Sequence, residues 1–174
     1  MPFHLTGSVA LLVSALLYAP HAANAQALQQ EISPAATRPA IDAPARFFTG
    51  RVRITPLFEP TPEAPLTGGF VTFEPGARSA WHTHPTGQRL VIVAGTARTQ
   101  AWGGPVIELQ PGDVLWCAPG VKHWHGATPS APMTHLALTG TVDGNNVAWM
   151  EQVSDAEYGA STPPAGQHSF LHDM

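Results

Sequence analysis

The sequence has few charged residues and almost no lysine. Charged residues make up 11% of the 174 residues, and Lys122 is the only lysine among the eight basic residues. The chain therefore offers no positive stripe that would neutralise phosphates, so we expect no nucleic-acid partner. Hydrophobic residues make up 44% of the chain, and this composition excludes a disordered protein.

Cysteine and long apolar runs are also scarce. The single cysteine, Cys117, excludes an intramolecular disulfide and any CxxC motif. The apolar run Leu5–Tyr18 is too short to cross a bilayer comfortably and has the length of a signal-peptide core. Because Ala23-Asn24-Ala25 forms a small-x-small cleavage site, we predict a signal peptide over 1–25, cleaved after Ala25. An uncleaved anchor and a misassigned start codon are the alternatives.

After cleavage, the protein is expected to be periplasmic or secreted, without stable membrane insertion. Residues 26–45 contain three prolines and no hydrophobic period, which predicts a flexible or partly extended lead-in. Residues 46–158 form one predicted domain, and the proline-containing segment 159–174 is a predicted disordered tail.

Within 46–158, glycine or proline separates a series of short runs with β-type composition. Many short strands at close spacing predict an all-β fold, an antiparallel sandwich or barrel. A single helical turn is predicted at Asp155–Tyr158, with Ser154 as N-cap and Glu157 completing a capping box. The predicted strands are Phe47–Ile54, Phe70–Phe73, Ala80–His84, Arg89–Ala94, Thr96–Ala101, Val106–Leu109, Val114–Cys117, Lys122–Ala127, His135–Thr141 and Val147–Gln152.

Five of the nine histidines lie between positions 82 and 135. His82 and His84 are two residues apart, as are His123 and His125, so each pair points to one face of its strand. Imidazole pairs on two strands that fold over each other predict a metal site. The alternative is a set of hydrogen-bonded or solvent-facing histidines without a metal.

The spacing of these residues resembles the two motifs of the cupin family. The first motif, G-x5-H-x-H-x3-4-E-x6-G, is matched from Gly76 through the two histidines to Gly95, with Gln88 where glutamate is usual. The second motif is matched by Gly112, Gly120 and His123, although its proline is displaced to position 119 and its final asparagine is replaced by alanine. The resemblance implies a single-domain, double-stranded antiparallel β-barrel of the jelly-roll type. Its metal ligands would be His82, His84, Gln88 and His123.

Several longer stretches resemble the small bacterial cupin hydroxynitrile lyases. Examples are Val71–Arg78, Trp81–Pro85 and Pro119–Ala127. The resemblance implies a manganese-dependent enzyme that cleaves (R)-mandelonitrile and related cyanohydrins to aldehyde and hydrogen cyanide, and that assembles as a homo-oligomer, a dimer or tetramer. Gly69, Val71 and Ser79 would then contact the small-molecule substrate. For Ser79 the alternative is an ordinary hydrogen-bonded strand serine.

Gln88 has a chemical consequence that follows from its lack of charge. Three neutral imidazoles and an amide leave the charge of a divalent cation uncompensated, which makes the cation a stronger Lewis acid. Imidazole and oxygen ligands suit Mn²⁺, with Fe²⁺ and Zn²⁺ as alternatives.

His135 and His125 are the predicted catalytic residues, because cyanohydrin cleavage needs a base for the hydroxyl proton and a partner for cyanide. The alternative for both is a role in orienting a ligand. A cupin dioxygenase and a non-catalytic small-molecule-binding cupin are the competing functions. Five aromatic residues are available to frame a substrate, and most are expected in the core or in subunit contacts: Phe73, Trp81, Trp102, Trp116 and Trp124.

Overall fold

The computed structural model describes residues 30–160, which include the whole predicted domain. The chain divides into two compact units, 1–32 and 33–174. The described part of the first unit, 30–32, is exposed and holds no helix or strand. The predicted signal peptide over 1–25 lies outside the described residues, as does nearly all of the predicted tail, so both stay predictions.

The second unit is built almost entirely from short strands. One 3-10 turn lies at Ala35–Thr37, and one helix, α1, spans Asp155–Tyr158. The strands are β1 (Ile41–Asp42), β2 (Phe48–Thr49), β3 (Val52–Phe58), β4 (Leu66–Phe73), β5 (Arg78–Ser79), β6 (His82–Thr83), β7 (Gln88–Gly95), β8 (Ala97–Ala101), β9 (Ile107–Leu109), β10 (Val114–Cys117), β11 (His123–Ala127), β12 (Met133–Gly140) and β13 (Ala148–Trp149).

These strands form two antiparallel sheets. The six-stranded sheet has the order β1-β3-β4-β12-β7-β10. In the seven-stranded sheet, β11 pairs with β8 on one edge and with β5 and β6 on the other, while β9, β2 and β13 extend the sheet outward. The all-β antiparallel prediction is confirmed.

Alternation along the central strands of the six-stranded sheet determines what faces the interior. In β7, Gln88, Leu90 and Ile92 are buried, whereas Arg89 is exposed and Val91 is half-buried. The period of two is expected for a sheet with one covered face. The same alternation in the neighbouring strand β12 buries its odd-numbered members Met133, His135 and Thr139.

Strand β11 differs because all five of its residues are buried. Trp124 packs outward into a second hydrophobic cluster with Trp81, Val153 and Tyr158 of α1. The Tyr158 hydroxyl donates a hydrogen bond to the Ala127 carbonyl at 2.7 Å, which ties the helix to the strand. Because the outer face of β11 is covered, its other face turns toward the barrel interior.

The predicted helical turn is confirmed with its cap. The Ser154 side chain accepts a hydrogen bond from the Glu157 amide, and the Glu157 side chain accepts one from the Ser154 amide. Arg78 holds this turn against the sheet, since its guanidinium donates to the Val153 carbonyl and forms an ion pair with Asp155 at 2.6 Å.

Several predicted segments differ from the structure. The predicted strand Phe47–Ile54 is two strands, because Gly50 at a φ of +77° turns the chain between β2 and β3. Strand β3 continues through Pro56, which lies beyond the residues that pair with β1, so its missing N–H removes no hydrogen bond to β1. The 26–45 segment contains β1, which pairs with β3.

Within the part of the chain that the structure describes, no helix has the length and apolar character needed to cross a membrane.

We predict that Phe73→Ala lowers the free energy of unfolding by about 3–5 kcal/mol, because the ring fills the core between the two sheets. Phe73 is fully buried, and its ring centroid lies 5.7 Å from that of His125 and 5.6 Å from that of His135. Urea unfolding followed by tryptophan fluorescence measures the change. Phe70→Ala, on the outer face of the same strand, should cost less than about 1 kcal/mol. Equal losses in the two variants would contradict this placement of the core.

Candidate metal centre

Histidines from both sides of one strand pairing meet at the barrel interior. His82 in β6 is the cross-strand neighbour of His123 in β11, and their ring centroids are 4.3 Å apart. His84 follows β6 directly, and its ring centroid lies 5.0 Å from that of His82 and 5.4 Å from that of His123. The predicted pairing of two His-x-His strands therefore brings these rings together.

Backbone carbonyls hold the Nδ1 atoms of all three rings. The Nδ1 of His82 lies 2.9 Å from the Ala80 carbonyl, and that of His123 lies 2.9 Å from the Val121 carbonyl. The Nδ1 of His84 lies 2.5 Å from the Asn146 carbonyl. A carbonyl can only accept, so each Nδ1 carries the proton and each Nε2 keeps a free lone pair. The Nε2 atoms of His84 and His123 are buried and have no hydrogen-bond partner.

Gln88 also has a buried oxygen that lacks a hydrogen-bond partner. Its Nε2 donates a hydrogen bond to Thr139 Oγ1 at 3.0 Å, and its Oε1 is buried without a partner. Thr139 is the cross-strand neighbour of Gln88 in β12. This hydrogen bond occupies the nitrogen of the amide and leaves its oxygen free, and an unpaired amide oxygen is a suitable ligand for a hard divalent cation.

Three buried histidines, His82, His123 and His125, could hold a metal ion, because their ring nitrogens lie within 4.8 Å of one another. This group includes His125, which the sequence assigned to catalysis, and omits His84. His84 and Gln88 also have buried unpaired atoms, and both side chains line the same cavity as His82 and His125. All these donors are uncharged, and buried donors without partners fit a cation because an unpaired buried polar atom is otherwise costly.

His125 and His135 form a hydrogen-bonded pair between the two sheets. The Nε2 of His135 lies 3.2 Å from the Nδ1 of His125. The other nitrogen of each ring, Nε2 of His125 and Nδ1 of His135, is buried without a partner. The two neutral rings share one proton across this contact. The ring that holds this proton has an unprotonated outer nitrogen that can accept a hydrogen bond, and the outer nitrogen of the other ring is protonated and can donate one.

Burial keeps this group of histidines neutral. Loss of solvent lowers the pKa of His135 to about 3 and that of His123 to about 4. Burial also lowers the pKa values of His82 and His125 well below the ordinary value, and neighbouring imidazoles lower them further. The pKa of His84 is lowered by burial, against the opposing effect of its hydrogen bond to Asn146. Neutral imidazoles at neutral pH are the form that binds metals and accepts protons.

A cavity of about 230 Å³ opens onto these histidines. The predicted substrate contacts Gly69 and Val71 line it, as do His82, His84, Gln88, His125 and His135. His123 borders an adjacent cavity of about 270 Å³ instead. Ser79 is fully buried outside both cavities, and its Oγ accepts the backbone N–H of His125 at 3.2 Å. Its position is that of a hydrogen-bonded strand serine.

Sequence reasoning missed several residues that line the site cavity. Trp149 packs on His82 with 4.9 Å between ring centroids, and Phe48 contacts Trp149 edge-on. None of the five aromatic residues singled out from the sequence lines this cavity. Thr139 and Asn146, which orient Gln88 and His84, were also missed. Thr139 and Asn146 contact Gln88 and His84 across long separations in sequence, which local residue spacing does not reveal.

A double-stranded antiparallel barrel with interior histidines defines a cupin-type protein, and comparison with known proteins agrees. Residues 69–139 match the family model described as a cupin domain. The chain is 56% identical over 115 residues to a curated (R)-mandelonitrile lyase from Granulicella tundricola, covering 66% of this chain and 88% of that protein. The chain therefore belongs to the cupin family.

Solved structures resemble the same fold. A cupin-like protein from Thermotoga maritima is 37% identical, with a TM-score of 0.62, and the match covers 67% of this chain and 89% of the other. A cupin 2 conserved barrel domain protein from Rhodopseudomonas palustris is 16% identical, with a TM-score of 0.54, over 63% of this chain and 75% of the other. The second likeness shows the fold alone.

If Gln88 is a metal ligand, we predict that Thr139→Val weakens binding of a divalent cation such as Mn²⁺ roughly ten- to a hundredfold, because Gln88 loses the hydrogen bond that orients its amide. Titration of the metal-free protein with Mn²⁺ measures the affinity. Thr134→Val removes a hydroxyl from the outer face of the same strand, where it bonds to Thr72, and should leave the affinity unchanged. Equal affinities in the two variants would show that Gln88 needs no support from Thr139.

Proposed function

We propose that this protein is a metal-dependent hydroxynitrile lyase that cleaves (R)-cyanohydrins such as mandelonitrile to an aldehyde and hydrogen cyanide, and catalyses the reverse addition. The observation that carries the proposal is the neutral His125–His135 pair in the same cavity as the proposed metal ligands His82, His84 and Gln88. Identity of 56% to a curated (R)-mandelonitrile lyase supports the same reaction.

The proposed ligands are His82, His84, Gln88 and His123, and the proposed metal is Mn²⁺, with Fe²⁺ or Zn²⁺ as alternatives. A divalent cation held by uncharged ligands supplies Lewis acidity, which lowers the pKa of a substrate hydroxyl. The chain contributes the positions of the donors. Hydrogen bonds to backbone carbonyls and to Thr139 occupy one atom of each side chain and leave the other atom available to bind the metal.

His135 and His125 are proposed to manage the proton. The cyanohydrin hydroxyl gives its proton to the pair as the bond between the carbon and the nitrile breaks. The electrons on oxygen form the aldehyde carbonyl, and the electron pair of the broken bond leaves with cyanide. The pair then returns the proton to cyanide, which departs as hydrogen cyanide. Because burial keeps both rings neutral, each has a lone pair ready for this transfer.

Purified protein loaded with Mn²⁺ should release benzaldehyde from mandelonitrile, measured by the absorbance of the aldehyde. Removal of the metal with a chelator should abolish the release, and readdition of Mn²⁺ should restore it. A rate no higher than the background of metal-loaded buffer would end the lyase proposal.

His135→Ala should keep the metal and lose turnover by about 10²- to 10⁴-fold, because a proton-transfer group is removed while the ligands stay. Steady-state rates with mandelonitrile and the metal content of the same sample measure both properties. Leu136→Ala, one residue along β12 and facing the other side of the sheet, is the matched control and should retain turnover. Full activity in His135→Ala would transfer the role of base to His125.

Metal content distinguishes the two ligand sets. We expect His84→Ala to lose stoichiometric Mn²⁺ after gel filtration, and His125→Ala to retain the metal while losing turnover. Elemental analysis of both variants checks this. The opposite pattern would establish His82, His123 and His125 as the ligands, in line with the close approach of their ring nitrogens.

A further inference from the structure

Phe58 and Gly68 face each other across two paired strands at the site cavity. Strands β3 and β4 pair with Pro56 opposite Gly69, and the register then shifts so that Phe58 lies opposite Gly68, with Leu57 as the extra residue. A bulge of this kind redirects a side chain, and bulges are common beside active sites. Here it places Phe58 among the residues that line the cavity.

The missing side chain of Gly68 makes room for the Phe58 ring. A Cβ added at Gly68 would lie 2.4 Å from both Cε1 and Cζ of that ring, closer than real contacts allow. Gly68 is not among the glycines with positive φ, so its backbone does not need glycine. Gly68 therefore leaves the space that the Phe58 ring occupies. An alanine at position 68 would displace the ring rather than strain the backbone.

The Phe58 ring remains available for a ligand. It is 44% exposed although it lines the cavity, whereas Phe73 of the neighbouring strand is fully buried. Aromatic rings prefer offset-stacked or edge-to-face contact with other planar rings. Next to it, Glu59 is the one charged side chain among the described residues that line the cavity. A carboxylate in this position disfavours an anionic substrate.

We propose that Phe58 is a specificity-determining residue that recognises the planar ring of an uncharged substrate, and that Gly68 is the residue that permits this position. The proposal deepens the proposed lyase function and rests on it for the identity of the substrate. The recognition of a ring by Phe58 is nevertheless a binding property that can be measured without turnover.

The test measures the affinities of Mn²⁺-loaded protein for benzyl alcohol and cyclohexylmethanol by calorimetric titration. These two alcohols are uncharged, are similar in size and lack a nitrile. The unaltered protein should prefer the aromatic alcohol. Phe58→Ala should reduce this preference about three- to tenfold, which is the range expected from loss of one aromatic pair. Gly68→Ala should reduce it similarly by displacing the ring.

Combining the two substitutions separates recognition by the ring from a general effect on the cavity. In the Phe58→Ala background, Gly68→Ala should have no further effect, because no ring remains to be displaced. Phe70→Ala is the matched control: Phe70 is 37% exposed on β4 and lines no part of the cavity, so the preference should be unchanged. Thermal unfolding of every variant checks that the fold is retained.

Three outcomes would overturn the proposal: no aromatic preference in the unaltered protein, an unchanged preference in Phe58→Ala, or an equal effect of Gly68→Ala with and without Phe58. The ratio of kcat/KM for mandelonitrile to that for an aliphatic cyanohydrin should follow the binding preference. If no variant cleaves mandelonitrile but the preference depends on Phe58, the lyase proposal fails and this inference stands.

Discussion

The site depends on one constraint: several of its uncharged ring nitrogens and one amide oxygen are buried in the barrel without a hydrogen-bond partner. A buried ring nitrogen or amide oxygen that lacks a hydrogen bond is costly, so the fold must compensate for its burial elsewhere. Here carbonyls bind the Nδ1 atoms and Thr139 binds the Gln88 amide, leaving the Nε2 atoms of His84 and His123 and the Gln88 oxygen free. Uncharged nitrogen and oxygen donors of this kind are suitable ligands for a divalent cation.

The two sheets contribute different chemistry to the interior. The seven-stranded sheet supplies His82 and His123 through a direct cross-strand pair. The six-stranded sheet supplies Gln88 and His135 from adjacent strands. The His125–His135 contact joins the sheets, with Phe73 packed against both rings. A change in the spacing between the sheets would therefore alter both the proposed proton-transfer pair and the arrangement of the proposed metal ligands.

Much of the fold was predictable where local rules apply. The capping box at Ser154 and Glu157 depends on residues three apart, and the structure confirms it. The first half of β4 was missed because Gly68 and Gly69 weaken any strand signal. The aromatic residues of the cavity were missed for another reason: Trp149 reaches the site through its pairing with His82, which is far away in sequence, and Phe58 reaches it through a register shift between β3 and β4.

Residue spacing alone determines that the histidines two apart share a face of their strand, because a strand repeats every two residues. It also determines that the domain is all-β, because glycine and proline interrupt the chain too often for long helices. Spacing does not determine which nitrogen of each ring is free, how near His125 comes to the ligands, or that a bulge turns Phe58 over Gly68. Those properties arise from the register of the paired strands and from the burial of each side chain, and both are set by contacts that form only when the chain folds.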